Sequence, residues 1–448
     1  MKVLLVSTYE LGRQPFGLAS PAAWLRHAGV DVSCLDLSRQ PFRADLVIWA
    51  DLIAFYLPMH TATRLALLAI QRVRALKPTV RLCCYGLYAP LNARALRSEG
   101  VAHILGGEFE ADLVQLATKD GALAESDFTA GQTEVPHLAF LVPDRQGLLP
   151  LSHYATLQVG RARRVVGYTE ASRGCKHFCL HCPVVPVYKG RFRVIPCDVV
   201  LADIRAQVER GAEHITFGDP DFFNGIVHAR RVVEALAREF PNLTYDVTIK
   251  VEHLLRHDSE LPLLRDTGCL FVTSAVESFD DQVLARLAKG HTREDVDAAV
   301  ALCGQAGLGL VPTFVPFTPW TTLESYCGLL RDVARLKLVD QVSPIQFALR
   351  LLVPDGSPLL EHDEFQLYLQ RFDPVKLVHP WTHPDPKVDA FADEIGQLVG
   401  RRLTASRSEL FSDLWQLAHA RAGVSAPLLE LAPRGRAEVP YLNEPWYC

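Results

Sequence analysis

Three cysteines, Cys175, Cys179 and Cys182, stand at a C-x3-C-x2-C spacing in Gly174-Cys175-Lys176-His177-Phe178-Cys179-Leu180-His181-Cys182-Pro183. Thiolates are soft ligands that select iron–sulfur clusters, zinc or copper over hard cations. A structural zinc or a complete cubane normally takes four protein ligands, commonly a C-x2-C with a second pair further on. Here the three ligands are local and no second C-x2-C occurs in the chain. Three thiolates on a four-iron cluster leave one iron open to another group. The plainer alternative is a zinc knuckle in a non-enzymatic module used for assembly or partner recognition.

The elements that must carry this loop read as two successive α/β units. Short apolar runs at Val3–Ser7, Val30–Leu35, Leu52–Leu57, Val80–Tyr85 and Ala102–Leu105 alternate with helical patterns at about 19–28, 62–76, 90–99 and 108–118. That rhythm predicts a doubly wound, Rossmann-like parallel sheet over residues 1–125, whose ligands bind at the carboxyl ends of its strands. Cys83 and Cys84 fall inside an apolar strand and read as core. Residues 126–164 lose periodicity, with Pro136, Pro143-Asp144-Arg145 and Pro150 marking an extended linker.

Alternation resumes at 165–380. Strand candidates at Val165–Glu170, His214–Phe217, Leu243–Ile249, Leu270–Ala275, Gly309–Val315 and Gln341–Leu349 are separated by helical patterns, making six βα units. The cysteine loop follows the first of them. Barrel chemistry sits where strands end and loops begin. Residues 381–448 form a helical extension, with Ile395, Leu398, Val399, Leu410 and Leu414 at helical spacing.

Composition sets the bounds. Of 448 residues, 49% are hydrophobic and 22% charged, ordinary for a globular protein. A net charge of −5 gives no reason to expect nonspecific nucleic-acid binding. Eleven cysteines, an odd number without framework spacing, fit a reducing compartment. The N-terminus runs straight into a strand and no eighteen-residue apolar run offers a membrane span, so a cytoplasmic protein with no membrane partner is expected.

The cysteine spacing and its flanks resemble the radical S-adenosylmethionine (SAM) superfamily, in which the amino and carboxylate groups of SAM chelate the open iron. The resemblance implies a 4Fe-4S cluster on Cys175, Cys179 and Cys182, a partial (βα)6 barrel, reductive cleavage of SAM, and a 5′-deoxyadenosyl radical acting on a small-molecule or peptide substrate. It also implies an electron donor such as flavodoxin or ferredoxin. Residues that would act directly on the substrate stay unassigned. The first unit is similar to the cobalamin-binding-like domain that precedes the barrel in many members, with Gly106-Gly107-Glu108-Phe109-Glu110 matching a Gly-Glu segment near its end. Cobalamin domains that supply an axial ligand carry Asp-x-His-x-x-Gly after the first strand. This chain reads Thr8-Tyr9-Glu10-Leu11-Gly12-Arg13, without the histidine, and His60 reads as a helix start. A cobalamin without a protein ligand, used for methyl transfer, and a domain that binds substrate or a partner both stay open.

Strand by strand, the resemblance supplies the cofactor contacts. After the second barrel strand, Gly218 leaves room for backbone approach, and Asp219 or Asp221 accepts from the SAM ammonium. After the third, Lys250 and Glu252 share one face of an extended segment, toward the ribose and carboxylate of SAM; an exposed ion pair explains them equally. After the fourth, Ser274-Ala275-Val276-Glu277-Ser278 and Lys289-Gly290 are similar to a Gly-x-Glu-Ser…Lys-Gly pattern, making Glu277 a substrate or SAM contact. Arg350 is a lone cation in an apolar run and needs an anion. His181 takes the place of an aromatic near adenine. The final Pro-Trp-Tyr-Cys resembles a group whose tail is Cys-Cys or Cys-selenocysteine followed by Ala-Glu-Pro, which would make Cys448 a redox group.

Overall fold

In a computed structural model the described residues are 1–118, 139–402, 405–429, 431 and 440–442. The tail read as a redox segment, Cys448 included, lies outside them, as does Pro136.

The first sheet comprises β1 (Lys2–Ser7), β2 (Asp31–Asp36), β3 (Leu52–Tyr56), β4 (Arg81–Tyr85) and β5 (His103–Leu105), in the order β2-β1-β3-β4-β5 and parallel throughout. Its strands are continuous apolar runs because both faces are covered, as parallel sheets require. One face packs Leu4, Val6, Ile53 and Phe55 against the helix His60–Leu76, and the other packs Val3, Leu5 and Ala54 against Phe16–His27. Cys83 and Cys84 are fully buried, one in each of these cores. The strand order reverses between β1 and β3, which places the binding crevice at their carboxyl ends.

The second sheet is a half-barrel ordered β13-β12-β11-β10-β7-β6-β14. Its parallel strands are β7 (Ala162–Thr169), β10 (His214–Phe217), β11 (Thr244–Thr248), β12 (Cys269–Glu277) and β13 (Gly309–Phe314). A hairpin partner, β6 (Thr156–Val159), runs antiparallel to β7, and β14 (Tyr441–Leu442) pairs with β6. A separate two-stranded ribbon, β8 (Ser172–Gly174) with β9 (Phe192–Val194), brackets the cysteine loop.

The sixth strand expected at Gln341–Leu349 is a 3-10 turn over Pro344–Phe347, followed by a single parallel bridge between Phe317 and Arg350. Pro316 and Pro344 remove ladder donors there, so pairing shrinks to one residue. Outside the half-barrel, Ile215, Val247, Val272 and Leu310 meet the helices in one large core. The helices Pro386–Arg401 and Arg407–Ala422 insert Ile395, Val399, Leu410 and Leu414 into the same core. Among the described residues no helix is long and apolar enough to cross a membrane.

The mouths of the two sheets face each other. Arg173, in β8, crosses between them: its Nε lies 2.6 Å from Glu170, while its Nη1 lies 2.7 Å from Glu110 and 3.3 Å from Glu108, both of the first unit.

Candidate active site

The cysteine loop leaves β8 at Gly174, whose φ of 78° and contact with the Arg191 carbonyl and the Tyr188 ring admit no side chain. Cys175 and Cys182 share a small apolar patch with Val184, Val187, Tyr188 and, from the first unit, Leu87. The three thiols lie near enough to disfavour one another's charge. Burial first, then the Cys179 and Cys175 thiols, push Cys182 up to about 12. Burial likewise raises Cys175. A metal centre that binds thiolates removes this penalty, and three converging, partly buried thiols on one loop fit a cluster with an open iron.

The zinc alternative would draw on Cys175, His177 and Asp221, whose donor atoms all lie within 4.8 Å of one another. The imidazole is already engaged, however. His177 Nδ1 is 3.1 Å from Lys250 Nζ, which can only donate, and its Nε2 lies 3.3 Å from Asp221.

Each loop histidine is held by the acid of a different strand end. His177 faces Asp221, beyond β10, while His181 Nε2 lies 3.3 Å from Glu277 Oε1, at the end of β12. Asp221 also meets His253 Nδ1 at 2.7 Å. Burial works against its charge, but His177 and His253 outweigh it and hold the carboxyl at about 2. Glu277 is likewise buried, yet Lys289 at 3.4 Å and His181 bring it to about 2. A register shift in β12 beside Glu277 and a φ of 68° there turn this side chain into the mouth. The rim therefore carries fixed anions and cations side by side, suited to a ligand with both an ammonium and a carboxylate.

Several expected residues stand elsewhere than the sequence suggests. Asp219 accepts from the Ala171 amide at 2.9 Å and from Ser172 Oγ at 2.5 Å, so it braces the end of β7; burial raises it to about 6. Asp221 is the aspartate that faces the cysteine loop. The space beside Gly218 is filled by the Tyr168 ring, which a Cβ would strike, so this glycine accommodates a neighbouring side chain. Lys250 and Glu252 are not on one extended segment: β11 ends at Thr248 and the helix Val251–Arg256 begins beyond Lys250. They still meet, at 3.5 Å, and Glu252 also pairs with Arg256 at 2.6 Å. Arg350 finds its anion in Asp389 at 2.9 Å and lies over the Trp381 ring. His60 opens a helix and bonds the Lys376 carbonyl at 2.7 Å. His253 escaped selection because nothing in sequence separates a buried rim histidine from a solvated one, and Lys289 entered only through the Lys-Gly pattern, without a role.

Residues 169–330 match the radical SAM superfamily model. The fold is similar to that of TsrM from Kitasatospora setae, a radical SAM methyltransferase solved with tryptophan and a SAM analogue (18% identity, TM-score 0.64, covering 98% of this chain and 93% of that one). It is also similar to OxsB, a cobalamin-dependent SAM radical enzyme solved with aqua-cobalamin (13% identity, TM-score 0.71, covering 94% and 71%). A tRNA-2-methylthio-N(6)-dimethylallyladenosine synthase of Chlorobium phaeobacteroides is 28% identical over 189 residues, 38% of this chain and 41% of that protein. The chain spans about half the length or less of the first curated relatives it matches, at 41%, 51% and 40%.

Proposed function

Because this chain carries a radical SAM domain over residues 169–330, we propose that it is an enzyme that cleaves SAM reductively to start radical chemistry on a substrate held between its two sheets. The observation that carries this reading is the C-x3-C-x2-C loop set in a rim where Asp221, Glu277, Lys250 and Lys289 converge. Bound on Cys175, Cys179 and Cys182, a 4Fe-4S cluster supplies the electron that breaks the sulfonium bond of SAM. The chain's own residues orient and shield. Asp221 and Glu277, ionised throughout the neutral range, offer carboxylates to an ammonium, while Lys250 and Lys289 offer cations to a carboxylate. Leu87, Val184 and Tyr188 pack beside the thiols and keep water from them. The reaction also needs an external reductant, for which flavodoxin or ferredoxin in the cytoplasm is suited.

A second reading, cobalamin-dependent methyl transfer, is favoured by a hollow of about 910 Å³ beside the switch point of the first sheet, lined by Thr8, Tyr9, Gly12 and Arg64 among others. Among the described residues no histidine lines this hollow, so its residues do not fit a cobalt ligated by a protein imidazole. They fit a cobalamin held by its periphery alone.

The test is anaerobic reconstitution, reduction and addition of SAM. Formation of 5′-deoxyadenosine supports the first reading, and a triple Cys→Ala variant that still forms it would remove the site assignment. A corrin spectrum in protein grown with cobalamin would favour the second reading, and its absence under generous supply would count against it.

A further inference from the structure

A cavity of about 230 Å³ lies where the two mouths meet. Glu10, Arg13 and Tyr56 line it from the first unit, Tyr168 and Glu170 from the end of β7, and Arg173 from β8. Val184 and Tyr188 form its wall toward Cys175 and Cys182, so it opens beside the reacting centre. Its volume is below the roughly 300 Å³ of a drug-sized site, which sets a small ligand or one end of a larger one.

Acids outnumber bases here. Glu10 and Glu170 line the cavity with Arg13 and Arg173, and two further carboxyls, Glu108 and Glu110, stand behind Arg173, so the cluster as a whole holds four acids to two guanidiniums. Arg173 is shared among Glu108, Glu110 and Glu170. Glu10 is left outside that network: it is 7% exposed, and its Oε2 is buried with no hydrogen-bond partner. Arg13 lies with its guanidinium 4.9 Å from the centre of the Tyr168 ring. Of the titratable groups facing Glu10, Glu170, Asp36, Tyr56, Tyr85 and Tyr168 bring no positive charge, with Tyr154 beyond them; Arg13 is the cation that acts on it, and the Arg13 Nε is itself buried with no hydrogen-bond partner. A buried carboxyl oxygen without a partner is expensive, and a hydrogen-bond donor is what this one lacks, since Arg13 acts on it through charge without bonding it.

We propose that this cavity binds the ammonium group of an amine, with Glu10 and Glu170 as its carboxylate partners and the rings of Tyr56 and Tyr168 as its walls. An ammonium carries three donors for two carboxylates and is attracted to aromatic faces. It also cancels part of the acid surplus, whereas an anion would add to it. Without such a cation the surplus is relieved by protons: burial holds Glu10 well above the carboxylate range and Glu170 at about 7. Entry of an ammonium ionises Glu10, so binding at neutral pH releases a proton. The proposal rests on the radical SAM reading only in treating this amine as the substrate end; the charge of the cavity stands without it.

The test is calorimetric titration of the anaerobically reconstituted protein with 2-phenylethylamine and its uncharged counterpart 2-phenylethanol, in two buffers of different ionisation heat. The amine is expected to bind with proton release, and the alcohol about tenfold or more weakly, the scale of one lost charge-assisted hydrogen bond. Glu10→Gln should cut the proton release to the part that Glu170 supplies and weaken the amine to the level of the alcohol, with iron content unchanged. Equal binding of amine and alcohol, no binding of the amine, or full amine affinity in Glu10→Gln would each overturn the proposal. So would hydroxocobalamin binding whose spectrum responds to Glu10→Gln while the amine does not bind, which would give the cavity to the cofactor. Iron content and 5′-deoxyadenosine formation are read separately, so loss of the amine site and loss of the radical SAM reading are distinguishable.

Discussion

Arg145 Nη2 lies 2.9 Å from Asp203 Oδ2, with both side chains 1% exposed. Arg145 comes from the extended segment between the two units and Asp203 from the helix Cys197–Val208. The guanidinium also donates to Gln14 Oε1 at 2.8 Å and to the Tyr168 carbonyl at 2.7 Å. One side chain thus ties the connecting segment to both sheets. Removing one partner of a buried pair leaves the other charge unpaired, so Asp203→Ala should cost about 3–5 kcal/mol in urea unfolding. Arg145→Lys should restore little, since an ammonium cannot reproduce the fork. A loss below about 1 kcal/mol would place the pair with ordinary surface bridges.

Gly218 and Tyr168 make a second coupled pair. A Cβ on Gly218 would meet the Tyr168 hydroxyl and ring. Gly218→Ala should therefore destabilise by about 1–3 kcal/mol, the range of overpacking in a filled interior. In a Tyr168→Ala background the same substitution should cost nearly nothing. A double-mutant cycle by thermal unfolding measures this coupling, and additive effects would show that the ring does not set the need for glycine.

Stability should fall as pH rises from about 5 to 8. Burial lifts Glu108 and Glu170 to about 7, partly countered by Arg173, and lifts Asp219 to about 6. Between the ordinary carboxylate range and pH 7 the folded chain therefore holds protons that the unfolded chain has released. Unfolding releases those protons, and its free energy decreases with rising pH through that window. Urea midpoints between pH 5 and 8 should decline, and Glu170→Gln should flatten the decline. Asp221 and Glu277 act in a separate window: held at about 2, they contribute stability above the carboxylate range that is lost as pH falls toward 2.

Strand positions in both sheets were readable because buried parallel strands are largely apolar runs, as in Val3–Val6 and Cys269–Val272. The cysteine loop was readable because ligand spacing is local. The sixth barrel strand was not, since Gln341–Leu349 has strand composition while its one proline, Pro344, opens a 3-10 turn there. The choice between Asp219 and Asp221 was equally hidden. Both follow β10 in one turn, and only the tertiary contacts with Ser172 on one side and His253 on the other separate them. Arg350 was rightly expected to need an anion, but Asp389 is distant in sequence and gave no sign of being its partner.

Arg350 and Glu277 should separate under mutation although both stand at strand ends. Arg350 is half-buried, paired with Asp389 at 2.9 Å, and its guanidinium carbon lies 4.2 Å from the centre of the Trp381 ring. Trp381 in turn donates its indole N–H to the Leu351 carbonyl at 2.8 Å, so the arginine clamps the segment after the last bridge onto the helix Pro386–Arg401. Arg350→Ala should lower stability by about 1 kcal/mol, the sum expected of a partly exposed pair and a cation–π contact. SAM affinity should remain within about twofold of the parent, well under the factor of ten that 1.4 kcal/mol represents. Glu277→Gln should do the reverse on SAM: it keeps the shape but removes the charge beside His181 and Lys289, weakening SAM about tenfold, as loss of a charge-assisted hydrogen bond does. Equilibrium dialysis with labelled SAM and thermal melts on the same reconstituted preparations read both effects. If Arg350→Ala weakens SAM with an unchanged melting temperature, the guanidinium is a cofactor contact and its pairing with Asp389 is secondary.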